Sequence, residues 1–142
     1  MQYKLLGRSG LRVSEICLVT MNFGQEWGYG ADKDNSRAIF NAYLDAGGNF
    51  LDTANRYTEG TSESWLGEFV NESGRRDELV VASKYSLVTK MNRINDGGNH
   101  RKNMMQSVEG SLKRMNLDYM DILWVHMWDF TTPEDEVMRG LD

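Results

Sequence analysis

Four polar residues stand at the ends of four short apolar runs: Thr20 after residues 15–19, Asp52 after 49–51, Lys84 after 79–83 and His126 after 121–125. Tyr57 lies five positions beyond Asp52. A carboxylate, an ammonium, an imidazole and a phenol are acid–base groups. An ammonium beside a phenol stabilises the phenolate and lowers the phenol pKa from its usual value of about 10. A carboxylate next to the ammonium keeps it charged and fixes its position. An imidazole can donate a hydrogen bond to a substrate oxygen or relay a proton. Asp52, Tyr57, Lys84 and His126 therefore describe a proton donor facing a polarised carbonyl. A donor of this kind needs a nucleophile from outside, and hydride from a nicotinamide cofactor is the usual one.

Each residue also has a plain reading: Asp52 as a turn cap, Tyr57 as a loop aromatic, Lys84 as a rim lysine, His126 as a structural histidine between Val125 and Met127. Four separate accounts are then needed, whereas one functional account covers them all. The chain has one histidine at a strand end and a single cysteine, which is short of a zinc site. No serine stands in a nucleophile elbow and no Gly-x-Gly-x-x-Gly follows a strand.

The elements that must position these groups alternate. The apolar runs are short and nearly continuous, as in parallel strands covered on both faces. Helical stretches separate them, so all four strands point their carboxyl ends at one rim, where α/β folds place their chemistry. Residues 3–6 and 11–13 flank Gly7-Arg8-Ser9-Gly10 and predict a hairpin before the first of these strands. A glycine-rich loop, residues 22–30, follows that strand and carries Phe23, Trp27 and Tyr29. Asp34 is read as the cap of a first helix stopped by Gly47-Gly48, and a second starts near Thr61 or Ser62. A third runs over about 102–115, with Met104, Met105, Val108, Leu112 and Met115 on a core face. Thr132-Pro133-Glu134 reads as a capping threonine with proline at the first helical position. Residues 92–100 are too polar for a core and read as a rim loop, with His100 a solvated member.

The 142 residues, with 40% hydrophobic content, suit one globular domain. The net charge of −5 is modest, with both signs scattered, which excludes a basic nucleic-acid stripe. No apolar run approaches the ~20 residues that span a bilayer, and residues 1–8 lack the apolar core of a secretory signal. Cys17, the lone cysteine, is read as a small hydrophobe in a buried strand. A cytoplasmic location is expected. Four β/α units make half of a (β/α)8 barrel, which typically takes ~250 residues. The expectation is a single partial domain over residues 1–142, cut near the fourth helix.

These segments resemble the aldo-keto reductases, carbonyl reductases built on a (β/α)8 TIM barrel. Residues 4–14 are similar to the family's opening hairpin and 18–24 to its first strand and loop. Residues 49–57 resemble the segment with the catalytic aspartate and tyrosine, 62–67 the start of the second helix, 81–84 the lysine strand and 111–126 the approach to the histidine strand. Trp128-Asp129 and the opening segment look closest to the aryl-alcohol-dehydrogenase-like branch. Val19 departs from the pattern, standing where the family more often has glycine.

The resemblance implies an α/β fold, the amino-terminal half of the barrel preceded by a short β-hairpin, and NADPH-dependent reduction of aldehydes and ketones. It implies that Tyr57 is the general acid, Lys84 the cation that tunes it, Asp52 the partner of Lys84, and His126 the donor orienting the carbonyl. Thr20, Met21 and Asp52 would lie against the nicotinamide ribose of NADP(H). Phe23, Trp27, Tyr85 and Trp128 are candidate walls for an apolar or aromatic substrate, with rim packing the open alternative. Most contacts to the rest of the cofactor come from later strands in this family, so the 142-residue chain alone is expected to be inactive or nearly so. A non-catalytic nucleotide-sensing or scaffold protein, similar to the potassium-channel β-subunits, is the alternative. A homo-oligomer that closes two half-barrels stays open as a further one.

Overall fold

The computed structural model describes residues 1–91 and 93–142. Asn92, the first residue of the predicted rim loop, lies outside them. The chain opens with an antiparallel hairpin, β1 (Tyr3–Leu5) and β2 (Arg12–Ser14), in which Lys4 pairs with Val13. Four strands then alternate with four helices: β3 (Leu18–Val19), α1 (Lys33–Asp45), β4 (Phe50–Asp52), α2 (Thr61–Ser73), β5 (Val80–Tyr85), α3 (Arg101–Met115), β6 (Ile122–Val125) and α4 (Glu134–Leu141). The sheet runs β3-β4-β5-β6 with every pairing parallel. This is a β/α half-barrel arrangement with a leading hairpin, as the sequence implied.

Side chains alternate across these strands. Leu51, Val81 and Leu18 belong to a core with Leu66, Phe69 and Val70 of α2, Phe40 of α1 and Met115 of α3. Leu123 and Val125 of β6 pack with Tyr85, Met104 and Val137. Helices thus cover one face. The other face carries Asp52, Lys84 and His126, and there Val19 and Trp124 are 51% and 38% exposed. The expectation of strands covered on both faces therefore fails for this inner face among the described residues.

Local chemistry sets most boundaries. Asp32, not Asp34, caps α1: its side chain accepts from the Asn35 amide. Gly47, at φ +82°, turns the chain out of α1, and a Cβ on Gly48 would fall 2.2 Å from the Tyr43 ring. Gly67 lets α2 approach α3, since a Cβ there would meet the Met115 carbonyl oxygen at 2.1 Å. On α3, Met104 and Met115 are buried as expected, whereas Met105 is 42% exposed. His100 is not a free loop residue; its Nδ1 accepts from the Asn103 amide at 3.2 Å and caps α3. Pro133 itself occupies the cap position of α4, because the Thr132 hydroxyl donates to Asp129 at 2.7 Å. The hairpin is sewn to β4 by Asn49, whose Oδ1 accepts from the Ser14 amide at 2.7 Å.

A fully buried carboxylate joins three elements. Glu63 of α2 accepts from the Ser83 hydroxyl on β5 at 2.6 Å and from Arg114 Nε on α3 at 2.6 Å. Both oxygens are thus matched, which a buried charge requires.

Candidate active site

Asp52 ends β4 and Lys84 is the penultimate residue of β5, so register places them on adjacent strands, with Asp52 opposite Ala82. His126 follows β6 directly, its amide donating to the Tyr85 carbonyl at 3.0 Å. Period-two alternation puts all three on the inner face. Tyr57 reaches the same place from a tight turn over Tyr57–Gly60. In that turn Thr58 and Glu59 have φ of +45° and +57°, a left-handed pair that costs roughly 1–2 kcal/mol per residue. Compensation comes from the Thr58 hydroxyl, which donates to the Phe23 carbonyl at 2.7 Å and accepts from the Ser62 amide at 3.1 Å.

The four side chains meet. The Lys84 ammonium is ion-paired with Asp52, donates to the Thr53 carbonyl at 2.8 Å and lies 3.1 Å from the Tyr57 hydroxyl. The His126 ring stands edge-on to Tyr57, centroids 5.7 Å apart at 88°. Burial pushes the His126 pKa below 6.5, the Lys84 charge pushes it further, and Asp52 opposes. The imidazole is therefore neutral near pH 7, and its Nδ1 is buried without a protein partner. Cys17 lies in the same field. Burial, then the Asp52 charge, push its thiol up to about 12 against the opposing Lys84. It is neutral but only half-buried and lies just before β3, not within a buried strand as expected, because β3 is confined to Leu18–Val19.

Three further positions need correction. Tyr85 is wholly buried on the helix side, its hydroxyl donating to the Asn99 carbonyl at 3.2 Å, so it cannot wall a substrate site. Phe23 is 3% exposed and stacks against Phe69, centroids 6.2 Å apart, so it too is core. Thr20 is fully buried, its hydroxyl shared with Ser62 at 2.8 Å, and supports the rim from behind instead of touching a ribose. Strand alternation explains Tyr85: a residue next to Lys84 must face the opposite way. Of the remaining candidates, Met21 is 40% exposed at the rim and Trp128 packs partly against the Tyr85–Met104–Val137 cluster. Trp27 meets Tyr57 edge-on, centroids 6.5 Å apart.

Several supports had no reading in the sequence. Ser86, at φ +103°, accepts from the Met127 amide at 2.9 Å and ties the end of β5 to the chain after β6. Asn99 and Asp129 exchange bonds, the Asn99 amide to Asp129 at 2.6 Å and the Asp129 amide to Asn99 at 2.7 Å. Four donors converge on Asp129 and draw its carboxyl well below the usual range against a burial penalty. The Asp-x-x-Thr spacing of 129–132 was the available signal. Ser86 offered none.

A model of the aldo/keto reductase family matches residues 15–142. The chain belongs to the aldo/keto reductase family. Among its relatives is a norsolorinic acid reductase of Emericella nidulans, 45% identical over 141 residues, covering 94% of this chain and 36% of that protein. A norsolorinic acid reductase A of Aspergillus parasiticus is 42% identical over 94% of the chain and 37% of its own length. An aryl-alcohol dehydrogenase, NADP(+), of Phanerodontia chrysosporium is 44% identical over 93% of the chain and 37% of its own length. The chain thus spans little more than a third of the relatives it matches. Among the described residues, no helix is long and apolar enough to cross a membrane.

Proposed function

We propose that this aldo/keto reductase segment carries the acid–base groups of an NADPH-dependent carbonyl reductase acting on apolar or aromatic aldehydes and ketones. The observation that carries the reading is the Lys84 ammonium, paired with Asp52 and 3.1 Å from the Tyr57 hydroxyl, with neutral His126 edge-on to the phenol ring. The relatives' names, a norsolorinic acid reductase and an aryl-alcohol dehydrogenase NADP(+), support the substrate class and the cofactor.

The donor set fits the nicotinamide end of such a cofactor. The His126 Nδ1 is buried without a protein partner, and Met21 offers an exposed apolar side chain at the rim. Met21 and the rim beside Asp52 would hold that end; Thr20 is too deeply buried to take part. When bound there, such a cofactor would supply hydride for the carbonyl carbon. Tyr57 gives its hydroxyl proton to the carbonyl oxygen as the C=O π pair moves onto that oxygen. The phenolate left behind faces the Lys84 ammonium, which compensates its charge until water restores the proton. His126, being neutral, can hydrogen-bond the oxygen without competing as a charged acid. Asp52 and the Thr53 carbonyl keep the ammonium aimed at the phenol.

This segment offers surface for one end of the cofactor, so the 142-residue chain alone should bind NADPH more weakly than micromolar. Fluorescence quenching on the purified chain tests that, and micromolar binding contradicts it. The chemistry is tested in the native gene product, by NADPH oxidation with an aryl aldehyde. Lys84→Met should lower kcat by about 10²-fold or more while NADPH still binds. A kcat within a few-fold of the parent's would overturn the role given to Lys84.

A further inference from the structure

Trp27 is far from Tyr57 in sequence, and the bond that brings it there comes from Glu59. The Trp27 indole N–H donates to Glu59 Oε1 at 3.1 Å, while Arg56 pairs with the other carboxylate oxygen of Glu59. Glu59 sits two residues past Tyr57 on the same left-handed turn. The loop over 22–30 is tied to that turn and to the start of α2 at two further points, Thr58 to the Phe23 carbonyl and Thr61 to Glu26. Those ties fix the loop's backbone and base, while Glu59 takes the indole N–H and Tyr29 packs beside the ring, centroids 6.1 Å apart. The indole N–H bond draws the Glu59 carboxyl below the ordinary carboxylate range, with burial opposing and Arg56 adding to the bond. Glu59 therefore stays an ionised acceptor at neutral pH.

We propose that Glu59 is a positioning residue: its bond to Trp27 holds the indole edge-on to Tyr57 as one wall of the carbonyl pocket and so sets a preference for flat, apolar carbonyls. The inference rests on the reductase reading of the Tyr57 site. Arg56 holds Glu59 from the solvent side, so the chain order Arg56-Tyr57-x-Glu59 links the proton donor and the wall in one turn. A substrate ring lying against Trp27 would be presented to the phenol beside it. Small aliphatic carbonyls would gain little from the same wall.

Three variants of the native gene product separate this role from a structural one. Glu59→Gln keeps an acceptor oxygen. Glu59→Ala removes it. Glu59→Gly removes it while suiting the positive φ, so folding is protected. Trp27 is read as the emission lost on Trp27→Phe. Its accessibility to acrylamide should rise in the Ala and Gly variants and stay near the parent's in Gln. KM for an aryl aldehyde should rise about tenfold in the Ala and Gly variants. The kcat, and the KM for a short aliphatic aldehyde, should move less than about threefold, and Gln should recover most of the aryl KM. Unchanged Trp27 accessibility in the Gly variant, or equal KM changes for both aldehydes, would overturn the proposal. Absence of any carbonyl reduction by the parent protein would overturn the reductase reading instead, and the acrylamide result would still judge Glu59.

Discussion

Lys84 and His126 show how two residues some forty positions apart in sequence acquire one electrostatic setting. The His126 pKa falls below 6.5 because burial and the Lys84 ammonium both oppose a second positive charge. A histidine whose folded pKa is lowered binds fewer protons folded than unfolded. Its contribution therefore removes stability as pH falls from about 6.5 toward the lowered value, and the loss levels off below it. An NMR titration of the imidazole should place its midpoint below 6.5, and a midpoint at or above that value contradicts the geometry. Cys17 gives a second check at this scale. With its thiol pushed up to about 12, it should resist iodoacetamide at pH 8 in the native protein and react on unfolding. Rapid native labelling would contradict that placement. The acid–base residue types and spacings of the candidate site were legible in the chain, because acid–base chemistry restricts which side chains serve. Tyr85 and Phe23 were misread because aromatic type says nothing of which face a residue takes. Strand alternation from Lys84 would have turned Tyr85 away, and the core position of Phe23 depends on a helix remote in sequence.

The elements are held by contacts that the sequence pattern reveals unevenly. Helix α2 was readable from Trp65, Leu66, Phe69 and Val70, and its extent matches the expected start. The role of Gly67 was not, since a glycine within a helix marks a close approach only when the neighbouring backbone is known. Gly67→Ala should cost about 1–3 kcal/mol in denaturant unfolding through overpacking against Met115. A loss below about half a kcal/mol would mean that α2 and α3 can separate freely. The Glu63–Arg114–Ser83 contact was equally hidden, because its members lie on three elements. Arg114→Met leaves a fully buried carboxylate with one partner fewer, so its cost should be about 3 kcal/mol. Glu63→Gln, which carries no charge to strand, should cost less in the same unfolding experiment. Helix starts proved less legible than helix bodies. Asp32 and Asp34 are both able caps, and the Asp32 bond to the Asn35 amide decides between them; Thr132 could cap α4, but its hydroxyl is taken by Asp129.

For the whole molecule, one face of the sheet is covered by helices and the other holds Asp52, Lys84 and His126. Strands β3 and β6 are both edges of the described sheet, and Val19 and Trp124 beside them are exposed. Open parallel edges with apolar neighbours favour association. The 142-residue chain studied by itself should accordingly show a mass that rises with concentration in light scattering. A constant monomer mass across that range would show that the inner face is satisfied without a partner. The strand–helix count and the parallel order were legible because each unit carries its own apolar run and breaker. Exposure of the inner face was not, because apolar runs look alike whether one side or both are covered. The inner face also fixes what the account must explain: why a phenol, an ammonium and a neutral imidazole converge there. The most direct test is Tyr57→Phe in the native gene product, measured as single-turnover reduction of an aryl aldehyde with saturating NADPH. The expected rate is lower by about 10²–10⁴-fold with cofactor affinity preserved. A rate within a few-fold of the parent's would contradict it and leave the tetrad a binding or structural cluster.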